Sequence, residues 1–176
     1  MTDAGTVALT GTPGTGKTTV ADLLADEADV VHLNDVIERE GFWTERDAER
    51  GSVVADLDAA ASWLADRDPD IVESHLAHLL PADRVVVLRC HPSELATRLR
   101  GRTGDDAESE ASVEENAESE ALDVVLAEAV ERHGRGGVHE VDTTDRDPAA
   151  VADEVRAVIA GERAPSAGTV DFTDYL

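Results

Sequence analysis

The sequence predicts an α/β fold: a five-stranded parallel sheet with helices on both faces. Short apolar runs alternate along the chain with stretches of helical periodicity, the pattern of strands joined by crossover helices. One run, Arg84-Val85-Val86-Val87-Leu88, is apolar almost throughout, as burial on both faces demands. The first run, moreover, stops at a glycine-rich turn that opens a helix.

Each element follows from local signals. Thr6 to Thr10 is short, apolar and partly β-branched, a buried strand ending at Gly11. Thr18 to Ala28 places Val20, Leu23 and Leu24 on one helical face. Val30 to Leu33 reads as a second strand. Residues 34–51 are polar and irregular, an insertion or a short helix with loops. Ser52 to Arg67 reads as a helix, through Val53, Leu57, Ala60 and Leu64. Asp70 to Glu73 is a third strand and Arg84 to Leu88 a fourth. Pro92 opens a helix at its first turn. Residues 101–111 form an acidic loop, and Ser112-Val113-Glu114-Glu115 is a capping box for a helix reaching about His133. Val138 to Val141 is the fifth strand, Asp147-Pro148 starts the last helix, and 164–176 is a tail tethered by Val170, Phe172, Tyr175 and Leu176. Residues 1–163 are thus expected to form one domain, followed by the tail.

Composition bounds the function. The 176 residues carry 15 basic and 39 acidic side chains, a net charge of −24. A DNA- or RNA-coating role needs a basic face, so direct sequence-specific DNA binding is not expected. Periodic apolar runs argue against disorder. The remaining reading is adaptation to near-molar salt, where the Debye length shrinks to about 3 Å and self-repulsion is screened. Lysine scarcity agrees with it: Lys17 is the only lysine, beside fourteen arginines. The single cysteine, Cys90, excludes an internal disulfide and leaves too little thiol for a zinc ribbon. No apolar run approaches the roughly 18 residues of a membrane span. Met1 to Gly5 lacks a signal peptide's basic-then-apolar pattern, so a cytoplasmic protein with no membrane partner is expected.

Gly11-Thr12-Pro13-Gly14-Thr15-Gly16-Lys17-Thr18 matches G-x-x-x-x-G-K-[ST] in full, the P-loop of nucleoside triphosphatases. Its glycines let the backbone curl so that successive N–H groups point at phosphate oxygens. The following helix adds its positive end. Lys17 reaches the β- and γ-phosphates of ATP, and the Thr18 hydroxyl takes Mg²⁺. Strand before and helix after supply the required context.

Further candidates surround this motif. Glu73 ends the third strand, where open α/β sheets present ligand-facing residues. It either holds Mg²⁺ through water or orients an attacking group; the alternative is an exposed acid in an acid-rich chain. His75 follows two residues later. Arg98, Arg100 and Arg102 precede the acidic loop. They either neutralise transferring phosphoryl oxygens or face the C-terminal dipole of their helix. Asp35 and Arg39 either meet an acceptor nucleotide or belong to a solvated charge run.

The cradle with Thr19, together with Glu73-Ser74-His75, Val87-Leu88-Arg89 and Glu115-Asn116-x-x-x-Glu120, resembles the adenylate kinase isoenzyme 6 family from about Thr6 to Ile159. The resemblance implies a nucleoside monophosphate kinase-like P-loop fold with a monophosphate-binding insertion at 34–56 and a short lid at 101–115. It implies γ-phosphoryl transfer from ATP to AMP or related monophosphates, with slow ATP hydrolysis. It also implies a part in small ribosomal subunit (16S rRNA) maturation, through a small-subunit ribosomal protein on the pre-ribosomal small subunit. By position, Gly14, Thr15, Gly16, Lys17, Thr18 and Thr19 bind ATP, Arg102 is the lid arginine, and Glu73 and His75 form the acid–x–His element.

Overall fold

The computed structural model describes residues 5–49 and 52–176. Five strands, β1 (Val7–Thr10), β2 (Val30–His32), β5 (Ile71–Glu73), β6 (Arg84–Arg89) and β7 (Val138–Asp142), form one sheet in the order β2-β5-β1-β6-β7. Every pairing in it is parallel. The predicted architecture is therefore the observed one.

The period of two along the strands sorts the core. Val7 and Leu9 of β1, with Val86 and Leu88 of β6, pack against Val20 and Leu24 of α1 (Lys17–Leu24) and Val151 and Val155 of α7 (Pro148–Ile159). Ala8, Val85 and Val87 face the other way. They meet Leu33 and Ile37 of α2 (Leu33–Glu40), Ala60 of α3 (Leu57–Arg67), and Leu126 and Ala129 of α6 (Val124–His133). A third cluster joins α4 (Pro92–Arg100) to α5 (Glu110–Ala121) through Leu95, Leu99, Val113 and Ala117. Each fully buried leucine or valine contributes about 1.5–3 kcal/mol.

Three expectations are corrected. Ser52–Ala55 is a strand, β4, antiparallel to β3 (Trp43–Asp47), and α3 starts only at Leu57. Val53 and Val54 are β-branched and prefer the pleated surface. Asp56 then caps α3 by accepting from the Ala59 amide at 3.1 Å. The helix foreseen from Ser112 begins at Glu110 instead, because Ser109 is its N-cap and accepts from the Ser112 amide. It also ends at Ala121: Asp123 adopts a left-handed backbone (φ 56°) that separates α5 from α6. Finally, the tail is held by Phe172, which is buried, and by backbone contacts to β7, whereas Tyr175 and Leu176 are exposed. The Ser166 amide donates to the Val138 carbonyl at 3.1 Å, and the Thr169 amide to Glu140 Oε2 at 2.8 Å. The span predicted as an insertion, 34–56, consists of α2 and the β3–β4 hairpin, with residues 50 and 51 outside the described set.

Candidate active site

Parallel strands place their carboxyl ends on one edge, and the register brings the chemistry there. Leu9 lies beside Glu73 and Val86, so the turn after β1 emerges between the ends of β5 and β6. At Gly11 (φ 149°) a Cβ would sit 2.6 Å from the Leu88 carbonyl oxygen, which admits no side chain. Gly16 (φ 96°) is the left-handed N-cap of α1. Between them the loop folds on itself: the Thr15 amide and hydroxyl both donate to the Thr12 carbonyl, at 3.3 and 2.9 Å.

The loop is braced from behind. Arg98 donates to the Gly14 carbonyl at 3.3 Å and the Thr143 carbonyl at 3.0 Å, and pairs with Glu94. The Thr143 hydroxyl donates to the Thr15 carbonyl at 3.1 Å. With these carbonyls satisfied on the outer side, the loop's amides other than that of Thr15 are left for a ligand.

Lys17 lies buried in the cradle, its Nζ donating to the Thr12 carbonyl at 3.0 Å. Burial lowers its pKa to about 8, with Arg102 acting in the same direction and Glu73 and Glu120 opposing. Thr18 faces Glu73, with Oγ1 3.5 Å from Oε1. The other carboxylate oxygen accepts from His32 Nδ1 at 2.8 Å, while His32 Nε2 reaches Asp22 at 3.1 Å. Burial works against a charge on His32, but the Glu73 hydrogen bond and the charges of Glu73, Asp22 and Asp35 raise its pKa. An imidazole bonded to carboxylates at both nitrogens donates twice, which is the charged form. His75 is half-buried and pushed down to about 4 by burial, then by Lys17 and His78, so it is a neutral ring beside the cradle at pH 7.

Thr18 and Glu73 offer hard oxygen donors of the kind Mg²⁺ takes, with water and phosphate oxygens completing its shell. Among the described residues no group of three or more His, Cys, Asp or Glu makes a ready-built metal site. The pair therefore fits a cation that arrives with its nucleotide.

The three arginines separate. Arg98 is the brace just described. Arg100 is exposed and pairs with Glu110. Arg102 pairs with Glu108 at 3.2 Å and is the one whose charge reaches Lys17. Asp35 and Arg39 lie exposed on α2, Arg39 against Glu40 at 3.2 Å. Asp35 lies near the Glu73–His32 pair, while among the described residues Arg39 pairs with Glu40 and not with the cradle. Thr19 opens onto a cavity of about 250 Å³ lined by Thr15, Gly16, Val20, Arg98, Arg146 and Val151 among others. A larger cavity under the tail, about 500 Å³, presents Asp142, Asp171 and Asp174 and is electrostatically unsuited to polyphosphate.

The sequence left His32, Asp22, Arg146 and the buried Arg89 cluster unread. His32 ends an apolar run just as Glu73 does, so a polar residue at a strand's carboxyl end was the available signal. Arg89 and Glu120 entered only as parts of the motifs that carry the family resemblance, with no role read for either.

Fold, cradle and the Lys17–Thr18–Glu73 arrangement define a nucleotide-dependent kinase of the P-loop class. The family model described as AAA domain matches residues 7–123. Relatives bearing the name "Putative adenylate kinase" match almost the whole chain. That from Natronomonas pharaonis is 57% identical over 97% of this chain and 99% of its own. That from Halobacterium salinarum is 56% identical with the same coverage, and that from Methanothermobacter thermautotrophicus 45% identical over 97% of this chain and 98% of its own. The chain belongs to this family. A gluconokinase from Sinorhizobium meliloti 1021 shares the fold at 21% identity, with a TM-score of 0.55 over 90% of this chain and 93% of that one. Among the described residues no helix is long and apolar enough to cross a membrane.

Proposed function

We propose that the protein transfers the γ-phosphoryl group of ATP to AMP or a related nucleoside monophosphate, with Mg²⁺. The observation that carries this reading is the buried Lys17 ammonium in a preformed amide cradle, beside the Thr18–Glu73 oxygen pair. Phosphoryl transfer asks the protein chiefly for positioning and charge neutralisation. Gly14 to Thr19 hold the triphosphate, and Lys17 spans its β- and γ-phosphates. Thr18 and Glu73 would hold Mg²⁺, Glu73 through water, and the ion when bound would supply charge neutralisation for the phosphates. Arg102, on the 101–115 lid, swings from Glu108 onto the transferring group. Neutral His75 donates or accepts a hydrogen bond without adding charge. The base lies in the cavity beside Thr19 between Arg98 and Arg146. Asp35 and Arg39, on the 34–56 insertion, meet the acceptor.

Slow ATP hydrolysis, and a cytoplasmic part in maturing the small ribosomal subunit through one of its proteins, complete the proposal. The net charge of −24 favours this second role, because such a surface suits a basic protein partner better than bare RNA. The same charge is taken as adaptation to high salt.

The test is a panel of nucleoside monophosphates with ATP–Mg²⁺ in molar potassium chloride. ADP formation stimulated by AMP supports the kinase. ATP turnover indifferent to every monophosphate, but raised by a small-subunit ribosomal protein, replaces it with an ATP-driven assembly factor. Stimulation by a hydroxy acid instead would make this a small-metabolite kinase.

A further inference from the structure

Glu120, on the last turn of α5, is 2% exposed. Arg89 Nε donates to its Oε1, and Arg89 Nη2 donates to its main-chain carbonyl at 3.0 Å. The remaining Arg89 bonds go to Asp123 and to Glu140, the latter at 2.6 Å, so none reaches Glu120 Oε2. That oxygen has no hydrogen-bond partner among the described residues. A buried carboxylate oxygen left open costs free energy, and native structures rarely keep one without use.

The open oxygen belongs to a carboxylate that acts on the phosphate cradle. Burial raises the Glu120 pKa, while the charge and hydrogen bond of Arg89, then the nearby Thr12 hydroxyl and Lys17, oppose it and favour the carboxylate; Lys17 in turn feels the Glu120 charge. Lys17 itself uses one donor, on the Thr12 carbonyl.

We propose that Glu120 is a positioning residue for the cradle: clamped by Arg89, its free oxygen aligns the Thr12–Lys17 side for the incoming polyphosphate. This rests on the reading of the cradle as an ATP site. Because the carboxylate repels phosphate as well as aligning the ammonium, its loss affects turnover and ground-state binding differently.

The chain offers a clean probe, since Lys17 is its only lysine and ¹³C-lysine labelling yields one Cε resonance. Titrating the wild-type protein with ATP–Mg²⁺ should move that resonance; if it does not, the ATP-site reading itself fails. Glu120→Gln keeps the shape and the Arg89 bond but removes the charge. Expected are a displaced Lys17 resonance in the folded, nucleotide-free protein, kcat lower by about 10- to 100-fold, and a KM for ATP that does not rise. The proposal is overturned if resonance and kcat both stay at wild-type values, or if kcat falls only in proportion to the folded fraction. Should Glu120→Gln fail to fold, Thr12→Val is read on the same resonance, and an unmoved signal there refutes the proposal equally.

Discussion

Replacing Arg89 with methionine should be the most damaging single change outside the cradle. The guanidinium is 1% exposed and pairs with Glu120 (2% exposed), Glu140 (1% exposed) and the partly exposed Asp123. It also sits 5.3 Å from the Phe172 ring centroid, so the tail packs on the same charge. Methionine fills most of the volume but leaves buried carboxylates without their cation, the case that costs about 3–5 kcal/mol. Against a total stability of about 5–15 kcal/mol, that approaches unfolding. For a chain of this size it corresponds to a fall in Tm of about 6–20 °C. The assay is thermal and urea unfolding followed by circular dichroism in molar potassium chloride, with Arg100→Ala as control. Arg100 pairs with Glu110 on the surface, so its removal should leave stability close to wild type. A loss below about 1 kcal/mol for Arg89→Met would show that the cluster tolerates uncompensated acids, refuting the reasoning.

Other outcomes follow from the same geometry. Lys17→Ala should lower kcat/KM for phosphoryl transfer by at least about 100-fold while leaving the melting temperature near wild type, checked by a coupled assay. His75, at about 4 when folded and near its ordinary value when unfolded, binds fewer protons in the native state. Its contribution is therefore intact above pH 6.5 and lost as pH falls toward 4, at most about 3 kcal/mol after allowing for partial exposure. His75→Gln should accordingly lose less stability than wild type between pH 6.5 and 4 in urea unfolding. Cys90 is fully buried and pushed up to about 12, chiefly by burial. Native protein at pH 8 should resist thiol reagents, reacting fully only when unfolded, as an absorbance assay would show.

What the sequence disclosed was what a short window can hold. Strand runs, the glycine cradle with Lys17 and Thr18, and Glu73 at a strand end are local patterns with fixed offsets. Val53 and Val54 misled because a β-branched pair directly upstream of α3 continues a helical period, and only pairing with Trp43–Asp47 resolves the choice. Arg98, Arg100 and Arg102 could not be sorted by spacing, since what separates them is whether the Gly14 carbonyl, Glu110 or Glu108 is in reach. The Arg89 cluster was out of range altogether: Glu120 and Glu140 lie 31 and 51 residues away. His32 was visible yet passed as a strand residue, its two acid partners being 10 and 41 positions distant.

The outer bracing of the cradle by Arg98 and Thr143 divides the kinetic labour of the protein. Because the loop is already shaped before nucleotide arrives, capture forfeits little backbone entropy and resembles docking onto a rigid seat. On the proposed reading of residues 101–115 as a lid, the ordering penalty shifts to the exposed stretch around Arg102, whose closure would then govern residence time. Substituting Arg98 should therefore slow nucleotide entry, whereas shortening that stretch should hasten its escape.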